Sequence, residues 1–362
     1  MSKVHNYSAG PCILPQEVFE QASKSIENFN DLNLSLIEIS HRSKDFVKVM
    51  DEARSLVKEV LNVPDNYDVL FLQGGASLGF LKAAYNMMRT NRCGGYLVTG
   101  AWAKKAAKEA NFMGNSKIVA SSEDQNFNYI PKNYEVTSDL DYFHVTSNNT
   151  IFGTQIKDFY SGDVPLVCDM SSDIFSRKID VSDFDLIYAG AQKNMGPAGT
   201  TVYIFKKDIL GKSSVAIPTM LDLKTHADKD SMFNTPPVFA VYASMLTLRW
   251  LKGIGGLDTI EKINNQKAEI VYNEIDQNPL FSGTAEVEDR STMNATFRLN
   301  NEELNEEFMT MLSDANISGL KGHRSVGGFR ASMYNAMPLE SVKTLILTLS
   351  NGIALYLSLI HI

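Results

Sequence analysis

A chain of 362 residues is longer than a single hydrophobic core usually serves, so two domains are expected. With 44% hydrophobic and 21% charged residues and no low-complexity tract, the composition is globular and excludes a disordered or fibrous chain. A net charge of -8 supplies no basic footprint for nucleic acid. Cys12, Cys93 and Cys168 lie far apart without a CxxC, which points to a reduced, cytosolic setting rather than a disulfide framework.

The first residues are polar and carry no secretion signal, and His5 to Pro15 holds too much Gly and Pro for a helix, so residues 1–15 read as an extended arm. A helix is expected from about Gln16 to Asn28 and another from Asp45 to Leu61. Between them, Ser40-His-Arg-Ser-Lys44 is either a solvated turn with a capping serine or a place where His41 and Arg42 hold an anion. Tyr67–Leu72 reads as a strand, and Gln73-Gly-Gly-Ala-Ser-Leu-Gly79 as a turn opening a helix that runs to Arg89. Strand, glycines and helix start can cradle a phosphate, although neither GxGxxG nor GxxxxGK[ST] is present, which argues against dinucleotides and nucleoside triphosphates.

A strand at Gly95–Thr99 and a helix at Ala101–Ala110 follow, with Trp102 at the corner as core residue or stacking platform. Strands fall near Lys117–Ala120 and Tyr142–Ser147, and then comes the polar loop Asn148–Gln155. Val164–Asp169 ends in a carboxylate that is either a helix cap or a ligand group at a strand's carboxyl end. Asp185–Phe205 reads as strand, small-residue turn and strand, with Lys193 in the turn. That lysine is either solvated or a buried amine of lowered pKa, open to Schiff-base chemistry. The alternation over residues 16–210 predicts a mostly parallel sheet with helices on both faces.

After Phe233-Asn-Thr-Pro-Pro237, long helices are expected at Val238–Gly253 and Leu257–Gln277. A smaller α+β domain follows, with strands near Ala295–Leu299 and Phe329–Ser332 and helices near Asn301–Ala315 and Pro338–Ser350. The apolar stretch Thr344–Ile362 reads as a buried terminal helix or an irregular tail. Asn351-Gly352 in its middle argues against a membrane span.

A phosphate cradle, a stacking tryptophan, a strand-end aspartate and an imine-forming lysine together suit pyridoxal 5'-phosphate. The chain resembles the phosphoserine aminotransferases, class-V members of the fold-type-I pyridoxal-phosphate enzymes. The resemblance rests on Asn6-Tyr-Ser-Ala-Gly-Pro11, Ser40–Lys44, Gln73–Ser77, Gly190-Ala-Gln-Lys-Asn194, Phe233–Pro237 and Gly322-His-Arg-Ser-Val-Gly-Gly-Phe-Arg-Ala-Ser332. It implies an α/β fold whose large domain, residues 16–256, has a mostly parallel seven-stranded sheet flanked by helices, with a small domain over 257–362.

The same resemblance implies Lys193 as the Schiff-base lysine, Asp169 on the pyridine nitrogen, Trp102 on the ring and Thr150 near the ring hydroxyl. Ala76, Ser77 and Gln192 would hold the phosphate, with Asn234 and Thr235 reaching it from a second subunit of a homodimer. Arg330 would take the α-carboxylate, and His323 and Arg324 with His41 and Arg42 the distal anion. The substrates implied are glutamate, 3-phosphohydroxypyruvate and phosphoserine, in serine and pyridoxine biosynthesis, with no metal and no membrane partner. The resemblance stops short of the end, because Leu345–Ile362 lacks the charged amphipathic helix typical of the family.

Overall fold

The computed structural model describes residues 4–360, and side chains as far as Gly352. It begins with β1 (His5–Asn6), α1 (Gln16–Glu27) and α2 (Lys44–Val60). Helix α2 starts where Ser43 Oγ accepts from Phe46 N–H at 3.3 Å, and Asp45 sits in the first turn, where the helix dipole favours an acid. Strands and helices then alternate: β2 (Tyr67–Leu72), α3 (Gly75–Met87), β3 (Cys93–Val98), α4 (Ala101–Ala110), β4 (Asn115–Ser121) and β5 (Tyr142–Thr146). A small hairpin of β6 (Asn148–Asn149) and β7 (Thr154–Gln155) leads to β8 (Leu166–Asp169), β9 (Leu186–Gly190) and β10 (Thr201–Lys206). Short α5 (Leu223–Ala227) precedes the long α6 (Val238–Gly253) and α7 (Gly256–Gln277). The chain closes with β11 (Phe281–Gly283), β12 (Asn294–Leu299), α8 (Asn305–Asp314), β13 (Ile317–Ser318), β14 (Phe329–Ser332) and α9 (Leu339–Ile360).

The expected large sheet has seven strands in the order β2-β10-β9-β8-β5-β3-β4. All pairings are parallel except those of β10, which runs antiparallel to both β2 and β9. The reason lies in the β9–β10 connection, residues 191–200, which is shorter than the crossover of about a dozen residues or more that a parallel return requires. Lys193 therefore sits in a tight return between two buried strands. Alternation sends Val69 and Phe71 to one face of β2, under α2 and α6, and Leu70 and Leu72 to the other, under α3 and α4.

The C-terminal part builds a three-stranded antiparallel sheet, β11-β12-β14, whose core takes side chains from α7, α8 and α9. The N-terminal arm is tied to that part: β1 pairs in parallel with β13, Tyr7 is fully buried in the same core, and Tyr7 Oη donates to Ser341 O at 2.7 Å. The helix expected from Asn301 begins as a 3-10 turn, because Asn301 Oδ1 accepts from Glu303 N–H and caps it two residues on. Val342, Leu345 and Leu349 of α9 are buried, as a terminal core helix requires. Among the described residues no helix is long and apolar enough to cross a membrane.

Candidate active site

The carboxyl ends of β2, β3, β5 and β8 open on one side of the sheet together with the β9–β10 return, the edge where open α/β folds place ligands. A cavity of about 310 Å³ lies there, lined by Ala76, Ser77, Trp102, Thr150, Asp169, Gln192, Lys193, His323 and Arg330 among others. That volume is at the lower end for a small-molecule site. A larger cavity of about 750 Å³, between Leu14, Trp250 and Leu339, is lined by no lysine, arginine or histidine.

Lys193 Nζ donates to Thr150 Oγ1 at 2.8 Å. Its turn is clamped from several directions. Ala191 N–H donates to Thr200 O, Gly196 N–H returns to Ala191 O, and Cys12 Sγ donates to Lys193 O at 2.7 Å. Asn194 Oδ1 accepts from Asn335 N–H at 2.9 Å, so the connection between β14 and α9 also grips it. The N-terminal arm passes close by: a Cβ on Gly10, whose φ is +141°, would lie 3.3 Å from Lys193 Cγ. Burial pulls the Lys193 amine down to about 8, against the opposing charge of Asp169. Carbamylation of the free amine by cyanate, followed by mass spectrometry, should therefore rise with pH and level off above a midpoint of about 8. A rate still climbing at pH ~10 would mark an ordinary solvated lysine.

Asp169, at the end of β8, is 4% exposed. Its Oδ1 accepts from Ser171 N–H at 2.9 Å and Ser171 Oγ–H at 2.5 Å. Burial raises its pKa, and the two bonds from Ser171 and the charge of Lys193 work against that rise. A buried carboxylate so placed favours a cationic ligand atom.

At the start of α3, Gly74 has φ +108°, and a Cβ there would strike Leu78 at 2.3 Å. With no side-chain cap on α3, the first N–H groups at Gly75, Ala76 and Ser77 remain free to meet an anion. Trp102 sits at the foot of α4, with Lys105 Nζ 4.4 Å from the ring centroid and its own Nε1 buried without a partner.

Arg330, on β14, comes from the small sheet. Its Nη1 donates to Thr150 O at 3.2 Å and its Nε is buried without a partner. His323 is pushed below its usual pKa by burial, Arg330, Arg324 and Lys105, so this end is locally cationic in a chain of net charge -8. The cavity therefore offers an anion cradle, a flat wall, a carboxylate for a cationic ring atom, an amine for a carbonyl and a guanidinium for a carboxylate. A phosphorylated, ring-protonated aldehyde fits that set.

Five of the expected site residues lie outside this cavity. Arg324 lines a neighbouring one of about 670 Å³ with Lys321 and His323. His41 and Arg42 lie in the turn before α2, and Asn234 and Thr235 in the loop before α6. Both His41 Nε2 and Asn234 Oδ1 are buried without a partner within the chain. Gly10, Thr146, Asn148, Ser171 and Ser172 also line the cavity, and none of them was among the expected site residues. Ser171 had a local signal, a serine two residues after a strand-end aspartate; Gly10 and Asn148 had none, because their placement depends on non-local pairing.

A family model for class-V aminotransferases matches residues 4–345. A phosphoserine aminotransferase of Flavobacterium johnsoniae is 63% identical over 345 residues, 95% of this chain and 97% of that protein. The structure of phosphoserine aminotransferase from Bacillus circulans subsp. alkalophilus has a TM-score of 0.93 at 42% identity, covering 96% of this chain and 98% of that one. Another phosphoserine aminotransferase structure, described for radiation damage of its Schiff base, has a TM-score of 0.94 at 44% identity, covering 97% and 99%.

Proposed function

The chain belongs to the class-V aminotransferase family, and on that footing we propose that it is a phosphoserine aminotransferase, moving the amino group of L-glutamate to 3-phosphohydroxypyruvate to give O-phospho-L-serine and 2-oxoglutarate. The observation that carries this reading is the meeting of Lys193, Asp169 and Arg330 in one cavity. Pyridoxal 5'-phosphate, when bound there, supplies an aldehyde for an amine and a ring that accepts electrons. Ala76, Ser77 and Gln192 would hold its phosphate, Trp102 would cover its ring, and Thr150 would bond near its ring hydroxyl. An ionised Asp169 keeps the ring nitrogen protonated. Lys193 Nζ, with an amine near neutrality, carries the proton to and from the substrate α-carbon.

Arg330 takes the α-carboxylate as a bidentate fork. His323 and Arg324 receive the distal anion together with His41 and Arg42 of a second copy, and Asn234 and Thr235 cross to the neighbouring phosphate. The working unit is then a cytoplasmic homodimer, each chain divided at about residue 256 into a large and a small domain. Fork-shaped guanidinium groups bind carboxylate and phosphate alike, so one pocket serves glutamate and phosphoserine. The same pocket suits the four-carbon phosphorylated analogue, 4-phosphohydroxy-L-threonine, of pyridoxine biosynthesis.

The test is steady-state kinetics with phosphoserine and alanine as alternative amino donors. Phosphoserine should be strongly preferred, and equal kcat/KM for the two would overturn the substrate assignment. In the same assay Arg330→Ala should raise KM for phosphoserine by roughly thirtyfold, the worth of about 2 kcal/mol for a lost charge-assisted hydrogen-bond pair. Arg330→Lys should recover only part of that loss, because a point charge cannot reproduce the fork.

A further inference from the structure

The loop bearing Asn234 and Thr235 is attached to its own chain in an unusual way. Strand β2 ends the seven-stranded sheet, and its free edge faces away from β10. Open strand edges leave unpaired N–H and C=O groups. Here side chains occupy them: Phe71 N–H donates to Ser231 Oγ at 3.0 Å, and Val69 O accepts from Arg54 Nε at 2.8 Å. The Arg54 guanidinium continues outward, with Nη1 2.6 Å from Asp230 Oδ1 and Nη2 2.9 Å from Asp68 Oδ1.

Asp230 and Ser231 are consecutive non-glycine residues with φ of +48° and +72°. Their Cβ atoms disfavour that left-handed backbone, which persists only where surrounding contacts enforce it. Ser231 N–H also donates to His226 O at 3.1 Å, and His226, 1% exposed, is held at 3.2 Å by Lys82 Nζ of α3. At the far end of the loop, Gln73 Nε2 donates to Thr235 O at 2.6 Å. One strand therefore runs at its tip into the chain's own anion cradle and fixes, along its edge, a loop whose Asn234 Oδ1 is buried and unpartnered.

We propose that Arg54, Asp230 and Ser231 are positioning residues that preset the Asn234–Thr235 loop for the cofactor phosphate of the neighbouring subunit, so that their effect is exerted in trans. This rests on the reading above that Asn234 and Thr235 cross between subunits. A loop already held in its docking shape loses little freedom when it binds. Losing one anchor should show in how long the neighbour keeps its cofactor, not in chemistry once the cofactor is bound.

The experiment compares Ser231→Ala, Asp230→Asn and Asn234→Ala as homodimers, and as mixed dimers with Lys193→Ala, separated by two affinity tags. Asp230→Asn keeps a residue tolerant of the left-handed region and removes only the charge of a 61% exposed side chain, so it should fold normally. Pyridoxal phosphate should dissociate faster on dilution, by up to about tenfold in Ser231→Ala and about two- to fivefold in Asp230→Asn homodimers, with kcat at saturating cofactor unchanged. In each mixed dimer the one Lys193-bearing site belongs to the altered subunit but is served by the intact loop of the Lys193→Ala subunit. Retention there should return to that of the parent protein. Recovery for Asn234→Ala without recovery for Ser231→Ala and Asp230→Asn would overturn the positioning role and leave the crossing intact. No recovery for any of the three would overturn the crossing itself.

Discussion

Lys193→Ala should lower transamination by about a thousandfold or more while leaving pyridoxal phosphate able to bind through its phosphate. Lys193 is the one lysine among the residues lining the cavity, so no second amine stands ready to take over. Its position is built into the backbone: the turn is closed by Ala191, Gly196 and Thr200, gripped by Asn335 through Asn194, and capped at its carbonyl by Cys12. Its chemistry comes from burial, which leaves an amine near 8 that both accepts and returns a proton around neutral pH. Lys193→Arg should be equally inactive, because a guanidinium stays protonated under these conditions. The readout is glutamate formed from phosphoserine and 2-oxoglutarate, with bound cofactor counted per subunit. Turnover within about tenfold of the parent protein would assign the proton transfer to another group.

How much of this was legible beforehand divides along physical lines. Local signals located the strands of the large sheet and the helices between them, because hydrophobic periodicity and glycine turns are written over short windows. The antiparallel β10 was not marked in the periodicity, and the pairing of β1 with β13 joins two-residue strands some three hundred positions apart. Site residues divided the same way. Lys193, Asp169, Trp102 and the Gly74–Ser77 turn carried their own local logic and meet in one cavity. His41, Arg42, Asn234 and Thr235 carried little, and without the family resemblance they would have remained ordinary loop residues.

Burial alone does not single out Lys193. Lys82 is 1% exposed, and Lys267 is fully buried with backbone carbonyls of Met333, Tyr334 and Met337 around its ammonium. Those two are satisfied by carbonyl or histidine acceptors and pin segments of chain, whereas Lys193 faces a cavity with a single hydroxyl acceptor. What sets Lys193 apart from them is the space in front of it.

Asp169→Asn separates holding the cofactor from using it. The amide keeps the size of the carboxylate and an oxygen for the Ser171 N–H and Oγ–H bonds, so the end of β8 and the fold around it should survive. An asparagine can still hydrogen-bond to a ring nitrogen, but it cannot hold a proton there by charge. Asp169 is 4% exposed, so water screens it little, and losing its half of the buried ion pair it would form with a protonated ring nitrogen costs about 3–5 kcal/mol. Placed on the step that needs a protonated ring, that cost predicts kcat lower by about two to four orders of magnitude, with cofactor affinity reduced by much less. A loss of affinity without a loss of kcat would make Asp169 an anchor and move the electronic role elsewhere. Asp173, close by on the same turn and also 4% exposed, supplies the control, since its carboxylate is engaged by Ser147, Gln155 and Arg177. Asp173→Asn should lower thermal stability and leave kcat largely intact, because that acid braces the strand end without lining the cavity.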